Sequence, residues 1–338
     1  MRTTVAAARD LAARLLQGVG LSTAHSAATA RAVVLAEVWG LPSHGLLRLP
    51  LYLDRTVAGG HPADAELKTI TDTGPLVIMD GGGGLGHWQL AEAGELGVAR
   101  ARDHGVALVA VGDSGHCGAL GTFVADAAEA GYVMLVFSTG PAVLPPWGGD
   151  KRLLSTSPLA AGFPGTPAPY VVDLAMSTVA RGKIAAYAAR NEPLPDGWAL
   201  DATGHPTTDP QAAIAGMLSP LGGAKGYALA FMVEALTAGL VGPARAQQVT
   251  DLFQPGANPQ RQGIAHVAIT IDPARTDVTG DPDGATRRLR ELAEATISAG
   301  GRTPGARRLA PSQVRDTVAL DVPDQLWNQL HDRLSPWD

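Results

Sequence analysis

Residues 76–92 read LVIMDGGGGLGHWQLAE, and how this stretch is read decides the fold. An apolar run ends at Asp80, four glycines follow, and a segment of helical texture begins near Gly86. Gly81, Gly83 and Gly86 satisfy G-x-G-x-x-G between a strand and a helix, the setting in which backbone amides cradle a pyrophosphate. That fingerprint also needs an acidic residue about 20 positions further on, closing the second strand onto a ribose. Here the next strand, GVALVAVGD, ends at Asp113, 27 residues beyond Gly86, and Asp103 comes before that strand begins. Four consecutive glycines also generate the pattern by chance. The run therefore reads as a flexible strand-to-helix turn.

Outward from that turn, LVIMD, GVALVAVG, VMLVFST, PYVVDLA and HVAITID are short β-branched runs typical of buried strands. Helical patterns at 88–103, 119–130, 178–190 and 225–241 lie between them, and such alternation indicates a layered α/β domain. Proline and glycine cluster at 141–149 and 162–169 and mark long loops, and 251–263 is polar and turn-rich. Residues 1–60 look helical. Thr3 or Thr4 caps a first helix that stops at Gly18 and Gly20, and Ser22 caps a second that runs to about Trp39. Pro50 suits the first turn of a third helix around 49–58, ended by Gly59-Gly60. Further helices are expected at about 284–298 and 322–334. The expected organisation is a helical subdomain made of 1–70 with 295–338, packed on an α/β body at 71–294.

The chain has 338 residues, 46% hydrophobic and 17% charged, which suits a folded core and excludes disorder. Its net charge is −6 and no basic block stands out, so nucleic acid is not an expected partner. The single cysteine, Cys117, rules out an intramolecular disulfide and suits a reducing cytoplasm. Arg2, Arg9, Asp10 and Arg14 break any signal-peptide core at the N-terminus. The stretch YALAFMVEALTAGLVG contains Glu234 and is too short to span a bilayer. A cytoplasmic protein without a membrane partner is expected.

No H-E-x-x-H or C-x-x-C occurs, so no metal is expected. GDSGH (112–116) echoes a serine-protease nucleophile loop, but those folds are all-β and usually disulfide-bonded, and G-x-S-x-G is missing. A serine hydrolase acting through Ser114 is the remote alternative. PSHGLLRLPLY places Ser43, His44, Arg48 and Tyr52 within ten residues. Histidine exchanges a proton near neutral pH, and arginine offers a planar fork that matches a carboxylate. The set suits a small acid whose neighbouring carbon changes oxidation state, although a helix entrance with Ser43 as cap would give the same spacing. His116 follows a strand end, where loops commonly carry function. Lys225 opens a helix after a proline-glycine loop, a site for an anion such as phosphate.

Together these segments resemble the type 2 malate/L-lactate dehydrogenase family, which also holds ureidoglycolate and sulfolactate dehydrogenases, 2,3-diketo-L-gulonate reductase and reductases of cyclic imine 2-carboxylates. The resemblance runs in order through SHGLLRLPLY (43–52), SGHCGALG (114–121), PPWGGDKRLLSTSPLAAGFPG (145–165), VVDLAMSTVARGK (171–183), LPDGWALDATGHPTTDP (194–210) and PLGGAKGYALAFMVEAL (220–236), and more loosely RTPGARR (302–308). It implies a three-layer α/β/α body that is not a Rossmann fold and that binds NAD(H) or NADP(H). It implies His44 and His116 as proton-transfer residues, with Ser43 and Asp173 orienting the histidine. It implies substrate contacts at Arg48, Tyr52 and Thr139. Cofactor contacts are implied at Val172, Asp173, Leu174, Ala175, Met176 and Ser177, at Lys225 and Gly226, and at Pro304, Gly305 and Ala306. The implied reaction moves a hydride between nicotinamide and C2 of a small 2-oxo or 2-hydroxy acid; the alternative is a cyclic imine 2-carboxylate reduced with NADPH. A homodimer is implied too. Ser138-Thr139, Ser155 to Pro158 and Ala306 depart from the usual T-N, G-T-N-P and P-G-E, which bears on the pocket and on the adenosine end.

Overall fold

The computed structural model describes residues 1–334, so the last four positions of the expected C-terminal unit lie outside the described residues. β1 (Arg2–Thr4) leads into α1 (Val5–Gly18), whose first turn is closed by Thr4 Oγ1 accepting from the Ala7 amide at 3.2 Å. Ser22 caps α2 (Thr23–Val38) in the same way, at 3.1 Å from the His25 amide. Two 3₁₀ turns, Pro42–His44 and Leu46–Arg48, precede α3 (Leu49–Val57). Next come β2 (Lys68–Asp72), β3 (Leu76–Asp80), α4 (Gly86–His104), β4 (Val106–Ser114), α5 (Gly121–Glu129) and β5 (Val133–Ser138). They are followed by β6 (Leu159–Phe163), β7 (Tyr170–Leu174), α6 (Arg181–Arg190), β8 (Ala199–Leu200), β9 (Pro206–Thr207), α7 (Pro210–Ala215) and β10 (Met217–Leu218). The chain ends with α8 (Ala224–Glu234), β11 (Ile264–Ile271), α9 (Gly284–Ser298), β12 (Ala319–Asp321) and α10 (Asp324–Asp332).

Seven strands form the central sheet in the order β2-β3-β4-β11-β5-β6-β7. Only the β3–β4 pair is parallel; β11 returns late in the chain and inserts antiparallel between β4 and β5. This mixed sheet differs from the mostly parallel sheet of a Rossmann fold. Helices α4 and α5 cover one face, burying Leu90, Phe123, Val124, Met134, Val136 and Ala268 together. On the other face Val233 of α8, with Leu236 and Val241, packs on Ala110, Phe137 and Val267. The result is three layers. The chain ends meet in a separate cluster in which α1, α2 and α3 pack Leu15, Leu16, Leu49 and Leu53 against Leu320, Leu326, Trp327 and Leu330. There β1 pairs antiparallel with β12.

Three elements depart from the sequence reading. β6 occupies LAAGF, partly inside a stretch read as loop. A Cβ on Gly162 would lie 2.2 Å from the Val124 carbonyl, so glycine stands here because α5 touches the strand backbone. The expected helix 225–241 is α8 followed by a wider π turn at Ala235–Gly239, where Thr237 Oγ1 donates to the Val233 carbonyl at 2.8 Å. α6 begins at Arg181 rather than 178, because the Met176 carbonyl and the Thr178 amide are bonded to Leu221 and Ser219.

The glycine run is the turn between β3 and α4. Its amides are already occupied: Gly81 donates to Gly112, Gly82 to Asp80, Gly83 to Asp113 and Gly84 to Gly81. At the helix start, a Cβ on Gly86 would fall 2.2 Å from the Gly115 carbonyl and 2.9 Å from His266 Nε2. Gly86→Ala is therefore expected to push apart the turn and the loop that carries His116. Overpacking of this kind costs about 1–3 kcal/mol. A lowered urea midpoint checks this, and a variant with the wild-type midpoint would refute the close-approach explanation.

Candidate active site

The 3₁₀ turns before α3 set Ser43, His44 and Arg48 on one side of the helical unit. Ser43 Oγ lies 3.1 Å from His44 Nδ1, and Arg48 Nε donates to the Ser43 carbonyl at 3.1 Å. Arg48 is further held by the Phe253 ring, with Cζ 4.6 Å from its centroid. Neither contact takes up the two terminal guanidinium nitrogens, and among the described residues Arg48 has no carboxylate partner.

The loop after β4 brings His116 opposite His44. The two rings are nearly parallel, 19° apart in plane, with centroids 5.9 Å apart. Tyr52 on α3 is completely buried, and its hydroxyl sits 2.7 Å from His116 Nδ1. The same nitrogen accepts from the Gly118 amide at 3.2 Å, while the His116 amide donates to Gln262 Oε1 at 2.9 Å. His87, at the start of α4, stacks edge-on against Tyr52 at 4.8 Å, is 1% exposed, and has both ring nitrogens without a protein partner.

The environment keeps these imidazoles neutral. Burial, then the positive charge of Arg48, lowers His44 to about 4. Burial, then His44, His87, Arg48 and His266, hold His116 well below its usual value. Burial raises the Tyr52 phenol far above the ordinary tyrosine range, so it remains a hydrogen-bond donor.

The structure thus gathers Ser43, His44, Arg48, Tyr52 and His116. Tyr52 reaches the site through His116 rather than by offering a surface to a ligand. Two other expected residues are engaged elsewhere. Asp173 accepts from the Gly121 amide at the start of α5 at 3.0 Å and faces Arg308 at 4.0 Å. Among the described residues it bonds to neither histidine, because the α5 N-terminus and Arg308 draw its charge. Thr139 Oγ1 donates to Glu234 at 2.9 Å and is 3% exposed, so α8 takes up the group expected at the substrate. Ser114 is fully buried and donates to Gln89 at 2.6 Å, which removes the serine nucleophile of the hydrolase alternative. No group of three or more metal-ligating side chains with site geometry occurs among the described residues.

The expected cofactor segments converge along β7 and its extension. Pro304 accepts from the Val171 amide at 3.1 Å, and a Cβ on Gly305 would lie 3.1 Å from Val171. At the other end Met176 bonds Leu221, and Ser177 bridges to Pro220, just before Lys225 and Gly226 in the first turn of α8. From 171 to 177 an extended chain covers roughly 20 Å. Each end leaves a buried polar atom without a hydrogen bond among the described residues, Arg308 Nη1, which only faces Asp173 at 4.0 Å, and Ser177 Oγ. A long ligand with polar groups at both ends fits that edge. Residues that the sequence reading missed are His87, Gln262, Phe253 and Arg181, whose guanidinium also lies over Phe253 at 5.4 Å. Buried Arg55 ties their loop to α3 through the Ala257 and Gln260 carbonyls. Only the polar texture of 251–263 hinted at it.

The mixed seven-stranded sheet and the two facing histidines beside Arg48 are not the arrangement of a Rossmann enzyme. The malate/L-lactate dehydrogenase family model matches residues 3–331. A (2R)-3-sulfolactate dehydrogenase (NADP(+)) of Chromohalobacter salexigens is 39% identical, covering 96% of this chain and 95% of that protein. A Delta(1)-pyrroline-2-carboxylate reductase of Ancylobacter novellus is 34% identical over 98% and 96%. Among solved structures, the delta1-piperideine-2-carboxylate reductase of Pseudomonas syringae pvar. tomato superposes with a TM-score of 0.87 at 30% identity, covering 98% of this chain and 99% of that one. The chain belongs to the malate/L-lactate dehydrogenase family and is an NAD(P)-dependent oxidoreductase.

Proposed function

We infer that the protein interconverts a small 2-oxo acid and its 2-hydroxy acid, with Arg48 holding the carboxylate and the facing His44 and His116 handling the oxygen on C2. One observation carries this reading: an arginine fork without a carboxylate partner stands beside two facing neutral imidazoles. A carboxylate on Arg48 fixes the adjacent carbon next to both rings, so orientation is built in before any chemistry. Ser43 steadies His44, and Tyr52 steadies His116. The nicotinamide, when bound, supplies or takes the hydride. Arg308, Ser177, Lys225 and the 304–306 turn are the groups that would hold the dinucleotide along β7, with Val172 to Met176 lining it. The helical unit of 1–70 supplies the substrate side, and the body of 71–294 supplies His116 and the β7 edge.

A cyclic imine 2-carboxylate is the second reading, favoured by relatives that carry such names. Two imidazoles suit the ketone better, because a nascent alkoxide needs a proton that an iminium already has. NADH and NADPH, each offered with a panel of 2-oxo acids and cyclic imine 2-carboxylates, test the choice. Oxidation of the nicotinamide by a 2-oxo acid, but not by its ester, is the expected result. Equal rates on acid and ester would overturn the anchoring role of Arg48.

The working state is a cytoplasmic homodimer with the cleft near the subunit boundary. α8 supports this: apolar residues surround it, yet Leu229, Phe231 and Met232 stay exposed, as does Leu240 just beyond. A helix that is apolar all round is normally covered. No helix among the described residues is long and apolar enough to cross a membrane. Light scattering is expected to give about twice the 34.7 kDa chain mass, and Phe231→Glu with Met232→Glu to reduce it to one chain. A wild-type protein that is monomeric and fully active at nanomolar concentration would contradict this.

A further inference from the structure

We propose, building on the reading above, that the two histidines have unlike roles: His116 is locked as the neutral Nε2–H tautomer and acts as a fixed hydrogen-bond donor to the oxygen on C2, while His44 alone carries the proton that is exchanged.

The assignment starts from Nδ1 of His116. A backbone amide can only donate, so the Gly118 N–H at 3.2 Å requires a lone pair on that nitrogen. The Tyr52 hydroxyl at 2.7 Å therefore donates as well, the shorter of two donors that share the one lone pair of that nitrogen. With Nδ1 an acceptor, a neutral His116 carries its one proton on Nε2. Gaining a second proton would turn Nδ1 into a donor facing the Gly118 amide. The groups around the ring oppose that charge from every side: His44 and Arg48 from the 3₁₀ turns, His87 from α4 and His266 from β11. A relay through Tyr52 is closed too, because passing the phenol proton to Nδ1 would leave a tyrosinate in a fully buried position. His116 can thus donate a hydrogen bond from Nε2 but cannot accept a proton there or surrender one at ordinary pH.

His44 is not restrained in this way. Among the described residues its side chain is hydrogen-bonded to the Ser43 hydroxyl, at 3.1 Å, which can rotate to donate or to accept. Either tautomer, and the imidazolium, can therefore be accommodated. Burial first, and then the charge of Arg48, keeps His44 neutral in the free protein, and a carboxylate bound on Arg48 cancels the second of these, the repulsion by the guanidinium. The nicotinamide, when bound, would supply the hydride to C2 or take it up; in reduction His44 would give the carbonyl oxygen its proton and become neutral, and in oxidation neutral His44 would take the proton of the hydroxyl. His116 donates to the same oxygen throughout, with no net proton transfer.

The test has two arms. Nitrogen-15 NMR of histidine-labelled wild-type protein, with no cofactor or substrate added, is expected to show His116 with a pyridine-type Nδ1 and a protonated Nε2, unchanged from about pH 8 to 6. An Nδ1–H tautomer, or an imidazolium that appears in that range, would overturn the proposal. In the second arm, glutamine replaces each histidine, since its amide can still donate a hydrogen bond but cannot carry a proton. His116→Gln should lower kcat by about tenfold while leaving the ionisation in the pH profile in place. His44→Gln should lose about 10²–10⁴-fold in kcat together with the ionisation seen in that profile. The reverse pattern, or equal losses, overturns the division of labour while leaving the site reading standing. Wild-type kcat/KM in both variants would instead remove the site reading itself. If either glutamine variant fails to fold, the tautomer measured in the wild type still decides.

Discussion

Arg48→Met is expected to lower kcat/KM for 2-oxo acids by about 10²–10³-fold while leaving the dissociation constant of NADPH unchanged. Charge-assisted hydrogen bonds contribute about 1.5–3 kcal/mol each, and a carboxylate on the guanidinium fork makes two. A loss of roughly 3–4 kcal/mol corresponds to that factor. The geometry isolates the effect: Arg48 is positioned through Nε by the Ser43 carbonyl and by the Phe253 ring, and neither contact is a hydrogen bond of its terminal nitrogens. Methionine keeps much of the apolar stem, so Phe253 retains a neighbour. Arg48→Lys should recover only part of the loss, because lysine keeps the charge but not the fork. A second readout follows from electrostatics. Arg48 helps depress His44, so the pH profile of the methionine variant should show its ionisation displaced upward. An unaltered kcat/KM on acids would mean that the carboxylate binds elsewhere.

The parts of this molecule that were legible in the sequence are those fixed by local chemistry. Thr4 and Ser22 announce α1 and α2 because a cap acts within three residues, and Gly59-Gly60 ends α3 for an equally local reason. The β-branched runs of β3, β4, β5, β7 and β11 gave themselves away by composition. β6 did not, since alanine and glycine were selected there by the approach of α5, a neighbour that no local pattern reveals. The site follows the same rule. Ser43, His44, Arg48 and Tyr52 lie within ten residues, so their grouping was visible. Gln262 joins His116 from 146 positions away, and the contacts of Phe253 and His87 exist only after folding. Asp173 and Thr139 show the converse: position in a motif suggested that one orients the histidine and the other meets the substrate, whereas partners on α5 and α8 claim their polar atoms.

Acid should unfold this protein unusually early, between about pH 5.5 and 4.5. His61, His87 and His266 are each 1% exposed, and burial is the main reason they titrate low: His61 and His87 fall to about 3 and His266 to about 4. Arg55 beside His61 and the mutual repulsion of the imidazoles add to this. In the unfolded chain the same groups titrate near 6.5. Above that value neither state binds the protons, and the stability from neutral burial is fully present. Below it the unfolded chain binds protons that the folded chain refuses, so stability falls as pH drops from about 6.5 toward 4. Each group loses up to about 1.4 kcal/mol per pH unit, or about 2 kcal/mol by pH 5. Three together lose roughly 6 kcal/mol, the size of a typical folding free energy of about 5–15 kcal/mol. Glu37, Glu234 and Asp173, whose carboxyls burial raises, favour the folded state as pH falls and offset part of the histidine loss. Circular dichroism against pH, with proton uptake on unfolding measured by titration, checks the account. With His44 and His116, also held below their usual value, up to about five protons should be taken up by the imidazoles across the transition, and replacing His266, whose ring bonds Ser138 and Gly115, by glutamine should move the midpoint to lower pH if the variant folds. A protein whose urea midpoint is the same at pH 5 as at pH 7 would show that these imidazoles are not held neutral by the fold.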